Sequence, residues 1–251
     1  MTVPVYCGLP QGSILRPLLF LLLIDNIGED ITKSSVNIFA DDTKASRRIS
    51  TLEDAELLQN DLDKLYEWSI TNNMAFHGLK FQCLKFGDNK DISEEYNYID
   101  SSGSNSIKDA QNVRDLGIYM DVNGTFEYHI YKAISKAKKL CGWISRSFIN
   151  RSIDLRRKLW RSYVEPVLDY GSQLYCPINL TLISNLEAVQ RNYTHNTENM
   201  QLHNYWERLA LMKLNSVQRR QERYRIIYIF KILQNLVPNP GIKFDTNCTR
   251  G

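Results

Sequence analysis

The chain has 251 residues, 43% of them apolar and 24% charged, and a formal net charge of +3. This composition excludes a disordered polyelectrolyte and leaves enough apolar surface for a core or two. It also excludes an evident membrane span: the long apolar run, Ile14 to Ile24, is interrupted by Arg16-Pro17 and falls short of the ~20 residues a bilayer requires.

The chain opens without a basic start, apolar core and small-residue cleavage site, so secretion is not expected. Gly8, Pro10 and Gly12 predict a stiff, irregular loop that a ligand can approach closely, with Gln11 and Ser13 as hydrogen-bonding groups. Ile14 to Ile24 reads as a buried helix. Ile38-Phe39-Ala40-Asp41-Asp42 is then an apolar strand ending in two carboxylates at a turn, able to hold a divalent metal. Successive strand side chains point to opposite faces, which makes Asp41 the expected direct ligand and Asp42 the neighbour that shapes the turn. Taken alone, the same pair also reads as a solvated turn.

Ser50-x-x-Glu53 is a capping box before a helix of about eighteen residues whose buried face carries Leu58, Leu62 and Leu65. Asp88 to Gln111 is polar and predicts a hairpin extension or loop. Phe126, Ile130, Ala133, Ala137, Leu140, Ile144 and Phe148 recur at three- and four-residue steps and form one apolar helical stripe. Lys132, Lys136 and Lys139 repeat at the same spacing on another face. Between Lys132 and Arg161, ten Lys and Arg accompany one acid, Asp154. That excess is either an ordinary solvated face or a phosphate-binding surface, which Arg156, Arg157 and Arg161 would extend. The remainder is helical, with breaks near Pro166, Pro177 and His195 to Leu202. The last long helix runs from about Val217 to Leu236, and Arg219, Arg220, Arg223 and Arg225 read as its exposed face. The cysteines, Cys7, Cys83, Cys141, Cys176 and Cys248, are scattered without zinc spacing. They predict reduced thiols of an intracellular protein, cytoplasmic or nuclear, with no disulfide-linked partner.

Gly8-Leu9-Pro10-Gln11-Gly12-Ser13 and the helix after it, followed by Asn37-Ile38-Phe39-Ala40-Asp41-Asp42, resemble the reverse transcriptases of non-LTR retrotransposons of the jockey and CR1 type. The resemblance continues through Trp68 to Gly87, with a strand starting at Met74-x-Phe76, and through Val113 to Phe126 as a strand pair turned at Asn123-Gly124. It extends to about Val237. It implies that Pro10, Gln11, Gly12 and Ser13, with Phe39 and Ala40, lie on the substrate side. It also implies that Asp41 and Asp42 are catalytic, metal-binding acids. Lys80 falls on the family lysine thought to assist the pyrophosphate leaving group, and equally reads as an exposed strand lysine. The basic helical region corresponds to a thumb that tracks the template–primer backbone.

The implied fold is α/β (α+β): a partial polymerase palm with an antiparallel sheet over residues 1–122, a thumb-like helical region over 123–165 and a C-terminal helical extension over 166–251. Two departures stand out. Two-metal nucleotidyl transfer needs carboxylates from two strands, but Met1 to Cys7 contains no acid, and Asp25 is a poor substitute at the far end of the apolar helix. Arg16 and Phe81 replace the family's glycine and cysteine. The expectation is therefore an N-terminally truncated reverse-transcriptase fragment, inactive in isolation. Its Mg²⁺ or Mn²⁺ would bind only if the missing strand were supplied, and its partners would be RNA template, DNA primer and deoxynucleoside triphosphates. A catalytically dead nucleic-acid-binding remnant, or a fossil without selected function, remains the alternative.

Overall fold

The computed structural model describes residues 14–87, 95–100, 103–177 and 179–243. Pro10, Gln11, Gly12 and Ser13, the Arg16 side chain, Cys7 and Cys248 lie outside the described residues. The fold is α+β and forms two units, one ending at Ala110 and the other starting at Gln111.

In the first unit, helix α1 (Arg16–Ile24) carries Pro17 in its first turn, where the missing N–H is not needed. The expected burial of this helix is corrected by the structure: Leu18, Leu21 and Leu22 are more than half exposed, and only Ile24 and, just beyond, Ile27 are buried. A helix that is apolar all round is ordinarily buried, whereas α1 leaves most of its leucines uncovered.

Strands β1 (Ser35–Phe39) and β2 (Asp42–Ser46) form an antiparallel hairpin in which Phe39 faces Asp42. Helix α2 (Leu52–Thr71) follows. Its capping box sits one residue later than the Ser50/Glu53 pair predicts: the Thr51 hydroxyl accepts from the Asp54 N–H at 3.2 Å, while the Asp54 carboxylate accepts from the Thr51 N–H at 3.1 Å. Arg47 fixes this register by pairing with Asp54 at 2.8 Å. The Ser50 N–H and the Arg47 guanidinium bonded to Asp54 hold its carboxyl down to about 2.

Helix α2 ends in a Schellman motif. Asn73 takes φ +51°, its N–H donates to Ile70 O at 3.1 Å, and the Met74 N–H donates to Ser69 O at 2.8 Å. Met74 thus spends its donor on the helix end, and no strand starts there as expected. A 3₁₀ turn, Gly78–Lys80, follows instead. Helix α2 packs on strand β4 (Asn97–Asp100), where the Gln59 amide donates to Asn97 O at 3.0 Å and accepts from its N–H at 2.9 Å. Strand β4 pairs antiparallel with β5 (Gly103–Ser106), the hairpin expected in the polar segment, and β3 (Gln82–Cys83) pairs parallel with β6 (Lys108–Asp109).

The second unit begins with hairpin β7 (Asn112–Asp115) and β8 (Ile118–Asp121). Its turn is Leu116-Gly117, with φ +46° and +85°, and not Asn123-Gly124 as expected. Positive φ at both central positions is the type I′ signature. The strain at Leu116 is held by the Tyr170 hydroxyl, which donates to Leu116 O at 2.7 Å. Gly124 closes a later turn, donating to Asp121 O at 3.0 Å, after which Asp121 accepts from the Thr125 N–H at 2.9 Å and leads the chain into α3 (Glu127–Ser147).

Helices α4 (Ile153–Leu159) and α5 (Glu165–Asp169) are joined by a π turn, Trp160–Val164. The break expected near Pro166 is therefore a π turn within continuous helix. The Glu165 N–H reaches Trp160 O, and Pro166 sits in the first turn of α5, where it has no donor to lose. Helices α6 (Leu180–His195), α7 (Tyr205–Leu211) and α8 (Val217–Leu233) complete the unit. Ile130, Ala137, Ile144, Trp160, Leu168 and Met212 are fully enclosed in its core.

Candidate catalytic hairpin and nucleic-acid interface

The acidic hairpin is built by local register. With Phe39 opposite Asp42, the turn consists of Ala40 and Asp41, and Ala40 adopts φ +52°. A left-handed alanine is strained, which marks this tip as a constrained turn. Asp41 and Asp42 are both exposed at the tip, Phe39 is 64% exposed, and Ala40 is exposed beside them. The structure therefore brings together four of the residues singled out in the sequence, two carboxylates next to an open aromatic ring. A Mg²⁺ is commonly held by one or two carboxylates plus substrate phosphates, and Asp41 and Asp42 are the two exposed carboxylates at this tip. Among the described residues, however, no group of three or more His, Cys, Asp or Glu is gathered for a metal. Asp25 caps the C-terminus of α1 and is exposed. Lys80 ends the 3₁₀ turn, also exposed, and is in that turn rather than in a strand.

The basic surface belongs to the second unit. The apolar stripe of α3 is where its periodicity puts it: Ile130, Ala133, Ala137 and Ile144 are buried, and Phe126, Leu140 and Phe148 pack partly against the same core. Lys132, Lys136 and Lys139 are consequently turned to solvent, and Glu127 in the first turn is the sole acid of this helix. Lys132 places its ammonium 5.1 Å from the Tyr128 ring centre.

The arginines behave differently. Arg156 is 1% exposed and does not extend the surface. Its guanidinium lies 3.9 Å from the Tyr193 ring centre and donates to Tyr193 O at 3.3 Å and Ser145 Oγ at 3.4 Å. Burial lowers its pKa and pushes the Tyr193 hydroxyl up to about 12. Arg157 is half-buried and bonds Asp154 at 2.6 Å. Arg161 remains exposed but donates to Lys213 O at 2.7 Å, just beyond the end of α7. On α8, Arg220 is likewise internal, bonding Asp169 at 2.9 Å and Gln190 at 3.0 Å. Sequence reasoning missed the aromatic residues of the α3 face. Tyr128 and Trp143 are 39% and 42% exposed, and their spacing from the lysines was the available signal.

No family model matches the chain, and no solved structure matches it. Among curated proteins, an uncharacterized protein of Caenorhabditis elegans is 30% identical over 128 residues, covering 50% of this chain and 63% of the relative. The RNA-directed DNA polymerase from mobile element jockey of Drosophila melanogaster is 25% identical over 183 residues, 68% of this chain. Its Drosophila funebris counterpart is 23% identical over 198 residues, 74% of this chain. The chain is a distant relative of the jockey reverse transcriptases. The similarity is thus to RNA-directed DNA polymerases of a mobile element, and the chain spans only 20% and 21% of the length of those two polymerases. Among the described residues no helix is long and apolar enough to cross a membrane, and Cys83, Cys141 and Cys176 are free thiols.

Proposed function

We propose that this jockey-related chain binds the sugar–phosphate backbone of nucleic acid along α3 and carries one part of a metal-dependent polymerase site at the β1–β2 tip. The observation that carries this reading is the lysine row of α3, Lys132, Lys136 and Lys139, exposed over about two turns of the helix while the opposite stripe is buried in the core. Such a row presents its charge at a fixed spacing on a rigid element, and phosphate neutralisation is the usual source of sequence-indifferent affinity. The partners of the intact activity would be RNA template, DNA primer and deoxynucleoside triphosphates.

Asp41 and Asp42 are the carboxylates that would hold Mg²⁺ or Mn²⁺. When bound, the ion would supply positive charge to the triphosphate oxygens. Phe39 and Ala40 shape the substrate side of that tip, and Lys80 is the candidate proton donor to the leaving group. Carboxylates from a second strand are required for the two-metal reaction, so the chain alone is expected to extend no primer.

Two measurements test this. Binding of the full chain to labelled RNA is expected in the micromolar range, weakening steeply with salt. Changing Lys132, Lys136 and Lys139 together to Glu should reduce the affinity and flatten the log K against log salt slope by about 2 to 3. Unchanged binding in the triple variant overturns the α3 assignment. Primer extension on an RNA template that disappears in Asp41→Asn overturns the expected inactivity.

A further inference from the structure

The lysine row of α3 is bracketed by aromatic rings. Tyr128, Lys132, Lys136, Lys139, Trp143 and Arg146 succeed one another at steps of three and four residues, and at 100° per residue all six fall within an arc of about 80°. At 1.5 Å per residue the two rings stand roughly 22 Å apart along the axis. The ends differ in character. At the first, Tyr128 is already engaged, its ring centre 5.1 Å from that of Tyr119 at 82° and 5.1 Å from the Lys132 ammonium. At the second, Trp143 packs at a steep angle against two rings, Phe148 with centres 5.9 Å apart at 86° and Tyr163 with centres 5.6 Å apart at 66°.

Trp143 still leaves 42% of its surface in water, and Tyr163 leaves 46%. A large aromatic residue braced in this way loses little conformational freedom when a planar ligand stacks on it. Single exposed aromatics are ordinary surface features, but this one continues a row of four cationic residues that favours a polyanion. A charged row that carries a partly exposed aromatic residue near its end is an arrangement that suits a nucleic-acid strand with unpaired bases. A duplex keeps its bases inside the stack and could use only the charges.

We propose that the exposed face of α3 is a track for single-stranded RNA, the backbone lying along Lys132, Lys136 and Lys139 and an unpaired base stacking on Trp143. This rests on the nucleic-acid reading above, and the relationship to RNA-directed DNA polymerases of the jockey element favours RNA as the strand.

The test is fluorescence anisotropy of the full chain with a labelled twelve-nucleotide adenylate RNA, the same RNA in a duplex, and the corresponding single-stranded DNA. Trp143→Ala is expected to weaken the single-stranded RNA about tenfold, the effect of one lost stacked base, and leave the duplex unchanged. Trp143→Phe, which keeps a ring and guards against loss of fold, should recover most of that affinity. Loss of binding to all three ligands in the lysine triple variant, with no effect of Trp143→Ala, would overturn the stacking proposal and leave the backbone reading standing. Binding indifferent to the lysines would overturn both. Tighter binding of the duplex, or an equal Trp143→Ala effect on the DNA strand, would overturn the assignment to single-stranded RNA.

Discussion

Arg156 and Tyr193 hold each other by three contacts: the guanidinium lies 3.9 Å from the tyrosine ring centre and donates to Tyr193 O at 3.3 Å, and the tyrosine hydroxyl donates to Arg156 O at 2.8 Å. This joins α4 to α6 across the core and makes Arg156 a structural residue. Arg156→Ala removes the cation–ring contact and leaves a void among buried neighbours, so it should lower stability by about 2–4 kcal/mol. Chemical denaturation measures that loss. RNA affinity of the folded fraction should be unchanged, and a variant of full stability with weakened RNA binding would return Arg156 to the surface.

The start of α2 is predicted to be acid-sensitive through Asp54. Its carboxyl titrates near 2 in the folded chain, below the ~3.9 of an unfolded aspartate. A depressed folded pKa contributes stability that is present above the unfolded value and lost as pH falls through the folded one. The midpoint of thermal unfolding should therefore fall between about pH 4 and pH 2, and Asp54→Asn should remove that component of the profile. Superimposable profiles for the two proteins would show that the Arg47–Asp54 bond and the cap contribute nothing.

Glu187 ties three elements together from inside α6. It accepts from the Tyr205 hydroxyl and from the Val217 and Gln218 N–H groups at 3.3 Å, the latter two at the open N-terminus of α8. A carboxylate there satisfies orphan donors and opposes the positive end of the helix. Glu187→Gln keeps the shape but removes the charge, and should cost about 1–3 kcal/mol. Hydrogen exchange should locate the loss in the first turn of α8. Uniform exchange across the second unit would mean that Glu187 supports the core and not that helix end.

How far the sequence reveals this fold depends on the range of the interaction concerned. The α3 stripe is readable because a 3.6-residue period needs no partner to be recognised, and the acidic hairpin because apolar residues end at two acids. Arg156 is misread because its partner Tyr193 lies 37 residues away and a count of local charge is blind to it. The α2 cap is displaced because Ser50/Glu53 and Thr51/Asp54 satisfy one pattern equally well, and only the Arg47 side chain folding back decides between them. Asn123-Gly124 looks the better hairpin turn, yet Leu116-Gly117 is used because Tyr170 supports the strained leucine. Trp143 was legible, since it continues the lysine spacing, but a search for charge alone passes it over.

Helix α1 poses the opposite problem, because apolarity announces burial without naming what covers it. Leu18 and Leu22 stand one turn apart and are 56% and 65% exposed, so they contribute little to the first unit and much to an apolar patch of the kind that drives association. Changing both to Glu should shift unfolding by no more than about 0.5 kcal/mol, as for other surface positions, and should lower the tendency to self-associate. Light scattering against protein concentration, read beside thermal melting, separates the two effects. A double variant that melts markedly earlier would show that α1 is packed in solution, and that the burial read from its sequence was sound.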